Sequence, residues 1–259
     1  MAWMSTKGYA KYVWLAWILT LRELKGRYKT AVLGFMWAFV NPLIQLLVLG
    51  LVFSIFLKVQ VPNYPVFLLS GLLPWTFFSS ALTQGTSSLI NNRDIIKKTF
   101  FPRQVIPIST VAASLINFLV TLIIFLILII LISLPVSFNP LFIILALFLL
   151  ITLTLGLILT TSSLEIYYRD VSFIVQALVL VWFYLTPVIY PLSFVPEKYL
   201  AIYKLNPMVG IVSLFRGGFL GTSQLSLDAV LISAAEAVSL LIFGLWIFKK
   251  RQIYFPDWV

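Results

Sequence analysis

An all-α integral membrane fold is what this sequence predicts: six transmembrane helices, with an N-terminal amphipathic interface helix before them and a re-entrant outer helical hairpin between spans five and six. Three observations carry that expectation. Of the 259 residues 61% are hydrophobic and only 10% charged, against roughly 25% charged in a soluble domain. The apolar residues form blocks matching the roughly 20 that a helix needs to cross about 30 Å of hydrocarbon. The bases are gathered into alternate connections, as in a multi-pass chain whose basic loops stay inside.

The spans follow in order from the charge gaps. Between Lys29 and Lys58 lie 28 uncharged residues, giving a first span at about 31–57. Between Lys58 and Arg93 lie 34 more, where Pro62, Asn63 and Pro65 mark a turn before a second span at about 66–90. No charge occurs from Gln104 to Leu164, 61 residues, too many for one helix. The turn residues from Pro135 to Pro140 divide that stretch into spans at about 104–133 and 140–163, joined by a tight hairpin. A fifth span covers about 171–190 and a sixth about 229–248. Two units result: residues 1–30, a cytoplasmic interface helix, and 31–259, the six-span domain.

Fourteen of the 18 Lys and Arg residues fall on one side of this arrangement; Lys58, Lys198, Lys204 and Arg216 fall on the other. Both termini are therefore expected in the cytoplasm. The same asymmetry accounts for the net charge of +10 without invoking nucleic acid. Cysteine and histidine are absent, which removes disulfides, Cys/His metal sites, thiol nucleophiles and imidazole bases together. The acids form no metal-binding motif, and an enzyme acting on lipid phosphates would need one at the membrane surface. A cleaved signal peptide is not expected, because the bases follow the first apolar stretch. Instead Trp14, Trp17, Ile18, Leu21, Leu24 and Tyr28 recur at helical spacing with Arg22, Lys25, Arg27 and Lys29 between them, the pattern of a helix lying along the interface.

Two connections differ from ordinary loops. The outer segment between spans five and six is rich in Leu, Ile, Val and Phe, and Asn206-Pro207 splits it into pieces too short to cross. A hairpin dipping back from the outer face at about 196–221 is expected, with a compact surface cap as the alternative. The inner segment at about 92–100 has Asn91 and Asn92 as candidate N-caps, Asp94 in the first turn, Lys97 and Lys98 near the other end, and Pro102 as a stop. A short charged helix exposing Phe100 and Phe101 suits either a soluble partner or reinforcement of the turn.

Polar residues also recur at helical spacing inside the spans. Gly34, Trp37, Asn41 and Gln45 share one face of the first; Thr76, Ser80, Thr83, Gln84 and Ser87 one of the second; Thr110, Ser114, Asn117 and Thr121 one of the third. On the fifth, Gln176, Phe183, Pro187 and Tyr190 do the same. Such faces turn towards a bundle interior or a water-filled path, and helix-to-helix bonding is the plainer use of the Ser and Thr hydroxyls. The mixed aromatic and amide faces also suit a passing sugar chain. Trp75 and Phe78 lie off the polar stripe, as belt or packing residues. Glu236, the one acid well inside a span, is read as a paired structural carboxylate or a gate contact.

Taken in order, LLSGLLPWTFFSSAL, SLINNRDIIKKTFFPRQVIP, EIYYRDV, LTPVIYPLSFVPEKY and LNPM resemble the permease subunit of ABC exporters of lipid-linked polysaccharides, the group that exports O-antigen, capsule and teichoic acid. The resemblance runs from about Arg22 to Arg251. It implies a homodimer enclosing one channel in the bacterial cytoplasmic membrane, driven by two copies of a separate nucleotide-binding ATPase that carries the ATP and Mg. No G-x-x-x-x-G-K-[ST] motif occurs, so no cofactor is expected on this chain itself. Arg93, Asp94, Lys97, Lys98, Phe100, Phe101 and Arg103 would form a coupling helix seated in the ATPase, with Glu165, Arg169 and Asp170 approaching the same partner. Arg22, Lys25, Arg27 and Lys29 would attract a lipid carrier's phosphates among the membrane lipids. The translocation path would follow Trp37, Asn41, Gln45, Phe77, Gln176, Phe183 and Tyr190. A related permease for teichoic acid, drugs or small lipids is the alternative.

Overall fold

The computed structural model describes residues 6–29, 34–56, 61–99, 101–131, 136–221 and 225–258. Among them there is no strand, only an isolated bridge between Ser137 and Leu220. Helix α1 (Thr6–Tyr28) is followed by α2 (Trp37–Gly50), which runs into a wider π-helical turn over Leu51–Phe56. Next come α3 (Tyr64–Thr86), the short α4 (Ser88–Asn91) and α5 (Arg93–Lys98), then the long α6 (Val105–Leu131) and α7 (Pro140–Glu165). The chain closes with α8 (Val171–Tyr184), α9 (Glu197–Lys204), α10 (Pro207–Leu220), α11 (Leu227–Arg251) and α12 (Phe255–Trp258).

Among the described residues four helices are long and apolar enough to cross a membrane: Tyr64–Thr86, Val105–Leu131, Pro140–Glu165 and Leu227–Tyr254. They coincide with the second, third, fourth and sixth expected spans. The first and fifth correspond to α2 and α8, with 14 residues each, a rise of about 21 Å. Expected to run to Tyr190, α8 stops six residues sooner, because Pro187 disfavours helical backbone at Thr186 before it; turns follow. Conversely, α11 extends to Arg251, three residues beyond the expected end. Asn63 takes left-handed backbone (φ 51°) at the turn before α3, a conformation that asparagine tolerates better than most residues.

Helix α3 is the axis of the packing: α6, α7, α10, α2 and α8 all lie against it. An aromatic ladder fastens three of these helices, with ring centroids 5.7 Å apart for Phe77–Phe118, 5.9 Å for Phe118–Phe215 and 5.1 Å for Phe125–Phe219. Trp75 and Phe78 are buried in the same core, against Phe183 and Trp182 respectively, so packing is their role. The division expected at Asn206-Pro207 is where α10 begins: Asn206 Oδ1 accepts the Met208 N–H at 3.0 Å. From Met208 to Phe219 every residue of α10 is buried, enclosed by α3, α7 and α11. The 136–139 connection pairs with its far end, Ser137 and Asn139 donating N–H to Phe219 and Gly218 carbonyls. Meanwhile α1 rests on α6 with Leu19 and Thr20 buried, leaving Trp14, Trp17 and Ile18 exposed as an apolar face.

The α7–α11 crossing depends on two glycines. A Cβ on Gly244 would lie 2.3 Å from Gly156 O, and one on Gly156 2.6 Å from the Leu240 carbonyl carbon. Neither obstacle is a flexible side-chain tip, so the helices themselves would have to separate. Gly244→Leu is expected to cost about 1–3 kcal/mol from overpacking, read as a lower thermal midpoint in detergent. An unchanged midpoint would mean that the crossing can open without cost.

Candidate functional site: a polar chamber and its clasps

The polar faces of three different helices converge. Trp37, Asn41 and Gln45 of α2, Thr76, Ser80 and Gln84 of α3, and Ser114, Asn117 and Thr121 of α6 line one cavity of about 320 Å³, within the ligand-pocket range of about 300–1,000 Å³. Phe77, buried against Phe118, forms part of its apolar wall. The hydroxyls of Thr76, Ser80 and Thr121 donate to backbone carbonyls of their own helices. The lining thus carries hydroxyl oxygens, which can accept hydrogen bonds as well as donate them. Thr83 and Thr110 bond back to their own helices as well but stand outside the lining, which is the plain helix-bonding role.

Arg27 and Tyr28 reach the chamber from the end of α1. Both Arg27 Nη atoms donate to Ser114 Oγ at 3.3 Å, and Nε stands 3.6 Å from Glu23. Burial lowers the Arg27 guanidinium from its ordinary value while Glu23 acts in the opposite sense; a guanidinium stays charged across the physiological range. Among the described residues, buried Arg27 Nε and Asn117 Oδ1 find no hydrogen-bond partner. Buried polar atoms of that kind are completed by solvent or by a polar ligand. The chamber is thus a cationic, amide- and hydroxyl-lined space with aromatic walls.

A second groove, of about 560 Å³, shares Gln45 and Thr76 with the chamber and continues past Trp75, Gln176 and Phe183. Tyr190 is not part of either lining. Its hydroxyl donates to Tyr184 O at 2.7 Å and meets Tyr203 Oη, fastening the turn after α8 to α9. The four bases expected to attract a carrier's phosphates also separate: Arg22, Lys25 and Lys29 border an open groove with Ile18 and Leu21, while Arg27 faces the chamber.

Beside α1, Arg93, Asp94, Lys97 and Lys98 of α5 are exposed, and so are Arg169 and Asp170. Phe100 lies outside the described residues. Phe101 is half-buried in a cluster with Leu19, Leu89 and Ile96, and Arg103 Nη1 donates to Gln252 O. Glu165 is buried, its Oε2 accepting the Ser172 N–H at 2.6 Å at the start of α8, so it shapes the 165–170 turn from within. The capping expected of Asn92 is replaced by another use: its Oδ1 accepts from Arg22 and its Nδ2 donates to Ser88 O at 2.8 Å, joining α1, α4 and α5.

Two residues that pattern reading passed over hold the interrupted backbone after α8. Arg216, counted above only as an outer base, is 3% exposed. It donates to the Pro187 and Val188 carbonyls at 2.5 Å each and lies 3.6 Å above the Phe67 ring. Gly71 makes room: a Cβ there would lie 2.8 Å from Arg216 Nη2. Asn206 accepts the Trp182 indole N–H at 2.8 Å and donates to Leu185 O and Thr186 Oγ1. The available signal was an arginine and an asparagine within apolar stretches, each needing partners in a dry setting. Glu236, expected to be paired or at a gate, has no hydrogen-bond partner for Oε2 among the described residues.

A helical, multi-pass membrane protein with a polar chamber walled by its helices is of the transporter class. The chain belongs to the ABC-2 type transporter family, which it matches over residues 15–220. It is 33% identical over 241 residues to the O-antigen export system permease protein RfbA of Myxococcus xanthus, covering 92% of this chain and 93% of that one. An RfbA permease of Klebsiella pneumoniae is also 33% identical, over 245 residues and 93% of both chains. The polysialic acid transport protein KpsM of Escherichia coli is 27% identical over 205 residues, 76% of this chain and 78% of its own.

If Arg216 satisfies the carbonyls after α8, Arg216→Met should strand two buried acceptors and cost about 2–5 kcal/mol in all. Asn139→Ala, which removes only the side-chain cap of α7, should cost about 0.5–2 kcal/mol. Thermal unfolding of the purified chain orders the two; equal losses would contradict the carbonyl assignment.

Proposed function

We propose that this chain is the channel-forming permease subunit of an ATP-driven ABC exporter that moves a lipid-linked, O-antigen-like polysaccharide across the bacterial cytoplasmic membrane. The near full-length similarity to O-antigen export permeases carries the reading. The chamber supports it chemically. Amides and hydroxyl oxygens match the hydroxyl groups of a glycan, and Trp37 and Phe77 offer apolar faces that fix no particular sugar. A repeating polymer needs contacts of that tolerant kind.

In this reading α2 with its π-helical turn, and α8 with the turn after it, are the two short crossings that complete six. Helices α9 and α10 re-enter from the outer face as a gate, and α1 lies on the cytoplasmic surface. The chain works as a homodimer with both termini inside, and two copies of an ATPase bind ATP and Mg. The exposed charges of α5, with Arg169 and Asp170 nearby in the sequence of cytoplasmic connections, are the surface that the ATPase pushes. Arg22, Lys25 and Lys29 on the open groove attract the carrier's phosphates before Arg27 receives them at the chamber. The ATPase supplies energy, and the permease supplies contacts that differ between open and closed states.

Reversing Lys97 and Lys98 to glutamate should reduce the amount of ATPase that co-purifies with the chain, because both ammonium groups are exposed and neither supports the core. Undiminished co-purification would remove α5 as the seat. With the ATPase bound, addition of a lipid-linked glycan should raise ATP turnover; stimulation by small amphiphiles alone would favour a drug or lipid exporter.

A further inference from the structure

Residues 252–258 pack against the helices. Phe255 is fully buried, its ring edge-on to Phe248 of α11 with centroids 5.3 Å apart. Helix α12, which it begins, packs against α5. Three further contacts tie the same segment to its surroundings. Arg103, just after α5, donates to Gln252 O. The Trp258 ring stands 5.3 Å from that of Tyr167 in the 165–170 turn. Arg251 lies over the other partner of that pair, 5.1 Å from the Tyr167 centroid. Ile96 of α5, Ile166 of the turn and Phe248 of α11 belong with Phe255 to one buried cluster, separate from the main core.

We infer that residues 252–258 form a strut that makes α5, the 165–170 turn and the cytoplasmic end of α11 move as one body. The inference rests on the proposed seating of an ATPase on α5. A six-residue helix at the end of two short connections is a poor lever by itself, since a push on it is absorbed by bending of its own loops. Braced by Phe255 and Trp258, the same push reaches α11, a 25-residue helix that packs against both α7 and α10. Because α10 carries Arg216 and the turn after α8, the displacement arrives at the opposite end of the molecule. Phe255 and Trp258 are positioning residues: they touch no substrate and act through α5 and Tyr167.

The test uses the complete chain reconstituted with its ATPase in vesicles, with three quantities read together: ATPase bound, ATP hydrolysed and glycan translocated. Trp258→Ala is the informative variant because Trp258 is 60% exposed, so its loss leaves the buried cluster in place. Phe255→Ala removes the buried end of the strut, and Phe255→Leu retains most of it. ATPase binding should stay constant. ATP hydrolysed per glycan moved should rise roughly threefold or more in Trp258→Ala and Phe255→Ala, as expected when a coupling contact is lost, and should return towards the original ratio in Phe255→Leu. An unchanged ratio with the ATPase bound overturns the strut alone. Failure of the unaltered chain to bind any ATPase overturns the coupling reading itself, and the strut with it.

Discussion

Inside hydrocarbon no water completes the bonds of a backbone carbonyl or amide, so any break in a helix must be satisfied by the protein. The turn after α8 has the same need, because Thr186, Val188 and Ile189 are buried within the protein. Arg216 answers it from α10 by occupying the carbonyls of Pro187 and Val188, and Tyr64 of α3 adds a bond to Ile189 O at 3.1 Å. Asn206 closes the other side, serving at once as cap for α10 and as partner to Trp182, Leu185 and Thr186. With those bonds in place a non-helical turn can sit buried beside α3; without them its carbonyls would be stranded. The position of α10, buried on every side, follows from the same solution.

Once α10 is fixed, it sets the frame for the chamber. The rings of Phe215 and Phe219 pack on Phe118 and Phe125 of α6, and Phe77 of α3 completes the stack. That apolar seam holds α3 and α6 together on one side of their contact and leaves the polar faces of both helices on the other, where α2 covers them. The division is economical physically. Apolar rings supply rigidity at the seam, while amides, and hydroxyls bonded to their own helices, line the cavity. Arg27 adds one positive charge where α1 meets that space.

Much of the architecture was legible because hydropathy and charge report directly on burial in lipid. The long helices α3, α6 and α7 lie where uncharged blocks of sufficient length predict them, α11 where one acid, Glu236, interrupts the apolar block, and Pro207 starts α10 as a helix-initiating proline should. Helical spacing also found most of the chamber, since residues three and four apart share a face whatever that face meets. It failed where one residue acts across the chain. Nothing in local spacing tells that Arg216 reaches a turn 28 positions earlier, that Tyr190 bonds to Tyr203 in preference to facing a cavity, or that Glu165 bends back to Ser172. Arg27 shares the charge and helix of Arg22, Lys25 and Lys29, and only packing on α6 separates it from them. The early end of α8 was foreshadowed by Pro187 but concealed by an apolar run that continues past it.

The central claim is that glycan passes between α2, α3 and α6. A photo-crosslinking residue placed at Asn117 or Gln84, inside the chamber, tests it against the same residue at Ile123 or Ile130, on the exposed face of α6. In cells exporting polysaccharide, irradiation should attach glycan at the two chamber positions and leave the two outer positions free of it. Equal labelling at all four, or glycan found only at Ile123 and Ile130, would place the route outside the chamber and contradict the account.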